Sequence, residues 1–202
     1  MHRYLSGLVL ALSIGGCDNK AALTADEQRL LLSDQDFASF GVSRGGHYGK
    51  SVQYLTRTVE LSYSHSADTG FYLYSGVTLH PNAGDALINN YAANVGASHS
   101  LENNGLQKRP LSLSPAYGDG SSLDLLLSDG EPVGNMFFTR IASRSVFVLF
   151  TGVYFEHAED FEAFVEPRMR QVRQIKTRDP LLGWVGDLFA SDSGKPAQPK
   201  NQ

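Results

Sequence analysis

Four stretches of this chain carry side chains of the kinds that do chemistry. Gly41-Val42-Ser43-Arg44-Gly45 has the letters of a nucleophile elbow, in which a serine hydroxyl is held out on a tight strand-to-helix turn for a histidine to deprotonate. Gly49-Lys50-Ser51 has the letters that close a phosphate-binding loop, where backbone amides and a lysine ammonium cradle a polyphosphate. His157 stands among Glu156, Glu159 and Asp160, an imidazole with carboxylates that suits a divalent metal. Cys17 is the single cysteine of 202 residues, so it has no partner for an internal disulfide and its thiol is open to another covalent fate.

Context separates these stretches. A nucleophile elbow must join a core strand to a helix, and neither flank of Ser43 has that pattern. The phosphate loop needs a glycine where Arg44 stands, and a helix where the residues after Ser51 read as a strand. Ser43–Ser51 is therefore predicted to be a flexible glycine-rich loop. Acidic residues also serve the positive end of a helix dipole, a structural reason for Glu159 and Asp160 beside His157. His47, His65, His80 and His99 show no ligand spacing that stands out, and there is no His-Glu-x-x-His or Cys-x-x-Cys. No metal or cofactor is predicted, although a metal site assembled across the fold stays open.

Cys17 has the most informative surroundings. Arg3 supplies a positive start, Leu5 to Ile14 is a short apolar core, and Gly15 and Gly16 leave the backbone unencumbered for a peptidase. That core is too short to span a bilayer, which takes roughly 20 apolar residues. Leu12 to Lys20, LSIGGCDNK, resembles the lipobox of bacterial lipoproteins, with Ile14 and Gly15 where that family usually has Leu and then Ala or Ser. The resemblance covers the first 20 residues. It implies cleavage before Cys17, a diacylglyceryl group on the thiol, and a place in the bacterial envelope, anchored in a membrane and facing the periplasm. One acyl chain, at about 0.8 kcal/mol per buried methylene, holds only marginally, whereas the family's two or three make attachment effectively permanent. Asp18-Asn19 matches the enterobacterial signal for inner-membrane retention, but that rule varies, and inner versus outer membrane is left open.

Composition bounds the rest. Lys plus Arg number 17 against 21 Asp plus Glu, a formal charge of −4, which argues against nucleic acid as a partner because its readers need a basic patch. Hydrophobic residues at 42% and aromatics at 10% indicate a folded chain. The sequence divides into a cleaved signal peptide (1–16), a lipid anchor and spacer (17–25), one α+β domain (26–177), an apolar C-terminal segment (178–190) and a disordered tail (191–202).

Within the domain, Ala25 to Ser33 reads as a short helical turn, and Ser33 to Val42 as an irregular segment laying Phe37, Phe40 and Val42 against the fold. Two strands follow around a turn at His65 to Gly70, with Val59, Leu61 and Tyr63 sharing one apolar face and Phe71, Leu73, Val77 and Leu79 another. The second strand turns Tyr72, Tyr74, Thr78 and His80 the other way. That surface either contacts a ligand or lies under a neighbouring helix or loop. Asn82 is a natural N-cap for a helix to about Ser98, whose apolar stripe is Ala83, Leu87, Tyr91 and Val95. Asn103-Asn104-Gly105 lies in a polar interruption, after which Leu111 and Leu113 begin a strand that Pro115 limits. Leu123, Leu125 and Leu127 alternate up to a turn at Ser128-Asp129-Gly130. Val133–Ile141 and Val146–Phe155 then form a hairpin, the second strand apolar on both faces and so central in a sheet covered on both sides.

Ala158 to Lys176 is the strongest helical pattern, with Phe161, Phe164, Val165, Met169, Val172 and Ile175 in phase across Pro167, where a kink is predicted. After it, Leu181, Leu182, Val185, Leu188 and Phe189 recur at helical spacing around Trp184, the chain's one indole. They either dock on their own domain or meet a partner or bilayer surface. The closing FVLFTGVYFEHAEDFEAFVEPRMRQV and the earlier LLLSDQDFASFGV give an order of elements that resembles the Mog1/PsbP-like α/β sandwich, loosely from Arg29 to Ile175. It implies a mainly antiparallel sheet covered by two main helices, and accessory or binding modules more than enzymes. The expected function is a lipid-anchored, non-enzymatic binding module with an envelope protein or small ligand as partner, its candidate surface formed by Tyr72, Tyr74, His80 and Trp184. The alternative is an envelope hydrolase using Ser43 or a histidine.

Overall fold

The most apolar run of the chain lies at the centre of its sheet, because both of its faces must be covered. A computed structural model describes residues 22–53, 55–68, 70–117 and 120–175. Cys17, Trp184, most of the predicted spacer, the apolar C-terminal segment and the tail lie outside these residues. The described strands are β1 (His47–Gln53), β2 (Thr58–Ser66), β3 (Tyr72–Leu79), β4 (Leu106–Leu111), β5 (Ser122–Ser128), β6 (Glu131–Ile141) and β7 (Arg144–Thr151). They form one antiparallel sheet in the order β1-β2-β3-β7-β6-β5-β4.

Helices α1 (Ala25–Gln28), α2 (Ala83–Asn103) and α3 (Ala158–Gln174) complete the fold, with short 3-10 turns at Asp34–Phe40 and Pro115–Tyr117. The period-two pattern of the strands sorts their side chains onto two faces. Val146, Val148 and Phe150 of β7 join Leu61, Leu73, Val77, Leu123 and Phe137 in one cluster, closed by Phe161, Val165, Met169 and Val172 of α3. Leu149 of β7 joins Leu126, Met136 and Phe138 in a smaller cluster with Ala97 and Leu101 of α2. The α+β class and the antiparallel sheet between two main helices follow the sequence reading.

The N-terminal segment supports the α3 side. Thr24 and Glu27 form a capping box that starts α1, and Leu30, Leu31 and Leu32 are buried behind it. Phe37 is fully buried, its ring 5.2 Å from Phe71 and 5.0 Å from both Phe150 and Phe164.

Several predicted boundaries are corrected. Ser43–Ser51 is not all loop, since His47 onward is edge strand β1. Helix α2 runs to Asn103, and β4 starts at Leu106 instead of Leu111; Pro110 is tolerated there because β4 is an edge strand and needs one fewer donor. Strand β7 stops at Thr151, before Gly152 at φ 87°. Leu126 is buried on the α2 side by alternation with Asp124, and the register shifts at a bulge between Leu126 and Leu127, where Leu127, predicted on the apolar face, is only partly buried.

The largest correction concerns α2. Of its predicted inward stripe, Leu87, Tyr91 and Val95 are 52, 72 and 51% exposed, while Ala86, Asn90, Ala97 and Leu101 face the sheet. The sheet surface below is already filled by Tyr74, Phe138 and Phe147, and over these rings the helix presents Asn89, Asn90 and Ala93, with Leu101 packed on the sheet near its C-terminal end.

Candidate functional site

Alternation along β3 puts Tyr72, Tyr74, Gly76 and Thr78 on the face away from α3, and α2 crosses that face. Between helix and sheet lies a cavity of about 140 Å3, with Glu60, Tyr74, His80, Asn90, Ser145 and Phe147 in its lining. Its aromatic wall is built by Phe147, stacked on Phe138 at 4.3 Å and meeting Tyr74 at 5.6 Å. The Tyr74 hydroxyl donates to Glu60 Oε1 at 2.5 Å. Burial, and then the Glu60 charge, push the Tyr74 phenol well above its ordinary range, so it stays protonated as a donor.

Hydrogen-bond directions at His80 follow from one proton. Ser145 Oγ donates to the Ala86 carbonyl at 3.1 Å, which uses the hydroxyl's single hydrogen. The 3.0 Å contact between Ser145 Oγ and His80 Nε2 must then be donated by the imidazole. Nδ1 is left as an acceptor, and burial lowers the His80 pKa against the opposing pull of Asp85, which keeps the ring neutral. That Nδ1 is buried with no hydrogen-bond partner among the described residues, and the same holds for Asn90 Oδ1, whose amide nitrogen donates to the Gly120 carbonyl at 3.3 Å. Two side chains bordering one cavity thus carry acceptors that call for donors, each buried unpaired group costing about 1–3 kcal/mol.

Acyl transfer is poorly served here. The Ser145 proton points to Ala86 rather than to the imidazole, and His80 Nδ1 has no carboxylate to orient it, as a serine–histidine–acid site requires. Of the predicted surface, Tyr74 and His80 meet at the cavity. Tyr72 lies farther along the same face, half-buried against the α2-side cluster, its phenol pKa raised by burial. Trp184 is outside the described residues. Glu60, Asn90 and Ser145 were not singled out from sequence; Glu60 was legible only as a polar residue opposite the buried face of β2, and Ser145 only as part of a turn.

The glycine-rich segment is explained by a buried carboxylate. Asp34 Oδ2 accepts from the amides of Gly45 and Gly46 at 2.9 and 3.3 Å, takes the Tyr63 hydroxyl, and lies 3.4 Å from His65 Nδ1. Burial alone would raise the Asp34 pKa, but these hydrogen bonds and His65 outweigh it and hold the carboxyl below its ordinary value. Burial and Asp34 together raise the Tyr63 phenol. A Cβ on Gly46 would collide with the Tyr63 hydroxyl, so glycine is required for close approach. Ser43 is exposed, and Lys50 is committed to Glu27 at 2.6 Å. His157 occupies the N-cap of α3 without a side-chain capping bond, and among the described residues no group of three or more His, Cys, Asp or Glu is arranged to hold a metal.

Among the described residues no helix is long and apolar enough to cross a membrane. No family model, curated protein or solved structure matches the chain.

Proposed function

We propose that this chain is a lipid-anchored, non-enzymatic module of the bacterial envelope, held to a membrane through acyl chains on Cys17 and facing the periplasm. Its domain binds a partner through the cleft beneath α2, either a small molecule bearing hydroxyl or amine donors or a protein group of that chemistry. The observation that carries the binding reading is the committed Ser145 proton, which leaves His80 Nδ1 as a neutral acceptor beside the Asn90 carbonyl. The anchor rests on the Arg3, Leu5–Ile14 and Gly15-Gly16-Cys17 pattern. The order of elements, closed by α3 against the sheet, agrees with a Mog1/PsbP-like sandwich, whose members are mostly accessory modules.

Cys17→Ser is expected to abolish incorporation of labelled palmitate and to release the protein from membranes. If variant and parent fractionate alike, the anchor is wrong. Crosslinking pull-down from the native membrane would identify the partner, with His80→Phe as the control that loses it. The alternative of an envelope hydrolase is favoured by one observation, the 3.0 Å Ser145–His80 contact. Labelling of Ser145 or Ser43 by a fluorophosphonate would establish that alternative in place of the binding module.

A further inference from the structure

The outer face of α2 carries Leu87, Ile88, Tyr91 and Val95 at 52, 69, 72 and 51% exposure, a continuous apolar stripe on a helix that turns Ala86, Asn90, Ala97 and Leu101 to its own sheet. We propose that the Leu181–Phe189 segment of the same chain docks on this stripe and covers it.

Chain geometry brings the two together. Arg144, at the start of β7, donates from its guanidinium to the Ile175 carbonyl at the end of α3. The next residue, Ser145, donates to the Ala86 carbonyl in the first turns of α2 at 3.1 Å. One arginine side chain, one peptide step of about 3.8 Å and one hydrogen bond therefore separate the end of α3 from the turn that carries Leu87 and Ile88. The intervening Lys176-Thr177-Arg178-Asp179-Pro180 has no large apolar side chain to hold it elsewhere, and the six steps from Ile175 to Leu181 reach as far as about 22 Å. That length is enough to pass the end of the sheet from the α3 side to the α2 side.

The surfaces also match in chemistry. From Ala86 to Leu101 α2 contains no Asp, Glu, Lys or Arg, and Leu181–Phe189 contains only Asp187, with its five helically spaced apolar residues and Trp184 to be covered. Ala92 and Gly96 are exposed on the same face, a turn apart, and nothing lies within 4 Å of a Cβ built on Gly96, which leaves a shallow seat for a bulky ring. A bilayer surface would be met by Lys and Arg bordering the apolar stripe, and α2 has none.

Trp184 is the chain's only tryptophan, so its fluorescence reports this contact without a label. In the full chain its emission is expected to be blue-shifted, weakly quenched by acrylamide and independent of dilution. Tyr91→Glu and Leu87→Glu occupy exposed positions and leave the core intact, as circular dichroism will check. Either is expected to shift emission to the red and raise the quenching constant severalfold. A chain ending at Thr177 is expected to melt at lower temperature than the full chain. Emission typical of exposed indole in the parent, or emission indifferent to both α2 variants, overturns the proposal. So does a blue shift that appears only with phosphatidylcholine vesicles, or one lost on dilution together with a sedimenting dimer.

Discussion

Asp34 offers the sharpest test of how the N-terminal segment is held. It is 6% exposed, and its carboxylate gathers the Gly45 and Gly46 amides and the Tyr63 hydroxyl. Asp34→Ala leaves the Tyr63 hydroxyl, on a residue 2% exposed, without its acceptor. An orphaned buried donor costs about 1–3 kcal/mol, and a hydrogen bond to a charged group, such as that from the half-buried Gly46 amide, is worth about 1.5–3 kcal/mol. Gly45 is exposed and can turn its N–H to water, so it adds little. The expected loss is about 3–5 kcal/mol, a large part of a domain stability of about 5–15 kcal/mol.

Urea melts at pH 7 measure that loss directly. Adding Tyr63→Phe to Asp34→Ala is expected to recover part of it, because the orphaned hydroxyl is then gone. The pH dependence has a definite sign. Asp34 has a depressed folded pKa, so its stabilisation is complete above the unfolded value of about 3.9 and is lost as pH falls through the lower folded value. The gap between parent and variant should therefore be constant from pH 7 to about pH 5 and narrow below about pH 4. A gap under about 1 kcal/mol at pH 7, or one that persists undiminished at pH 3, would refute the reasoning.

Two other substitutions test the core. Val148→Asp puts an unpaired charge at a position 1% exposed between β7 and α3, and is expected to prevent folding; normal soluble expression with a cooperative melt would mean the burial is wrong. Asn135 is fully buried, donates to the Phe155 carbonyl at 3.0 Å and accepts from the Phe155 amide at 2.7 Å, so Asn135→Ala should cost about 2–4 kcal/mol in a denaturant melt. Asn135→Asp should fail to rescue it, since a carboxylate cannot donate to that carbonyl, and a melt equal to the parent's would show that the loop before α3 is held by other contacts.

Strands were legible where one face is buried and the other polar, as in β2 and β3, because period two then leaves one solution for the register. Strand β7 was legible for the opposite reason, being apolar throughout. Edge strands were not. β1 is built from His47-Tyr48-Gly49-Lys50-Ser51 and β4 from Gln107-Lys108-Arg109-Pro110 at its centre, both of them polar because an edge has a neighbour on one side only. The cleft was half legible. Tyr74 and His80 stood out on β3, but Ser145 and Asn90 reach it from β7 and α2, and no local pattern signals a meeting between residues 65 positions apart.

The error over α2 has a physical origin that also bears on the site. A helical stripe of apolar residues says that something covers it, not that the nearest sheet does. On the α3 side both layers supply large apolar side chains, Phe137 and Phe150 from the sheet and Phe161, Val165, Met169 and Val172 from α3, so large apolar surfaces interlock and hold the fold. Along the cavity on the α2 side the sheet supplies the bulk, Tyr74, Phe138 and Phe147, and the helix supplies Asn89, Asn90 and Ala93, its large buried side chain, Leu101, lying near its C-terminal end. Small side chains against aromatic ones leave room, and asparagine and histidine in that room leave acceptors. Stability therefore rests mainly on the α3 face, and that is what lets the α2 face keep a cavity with unpaired polar groups at its border while its own apolar residues point outward to be covered by something else.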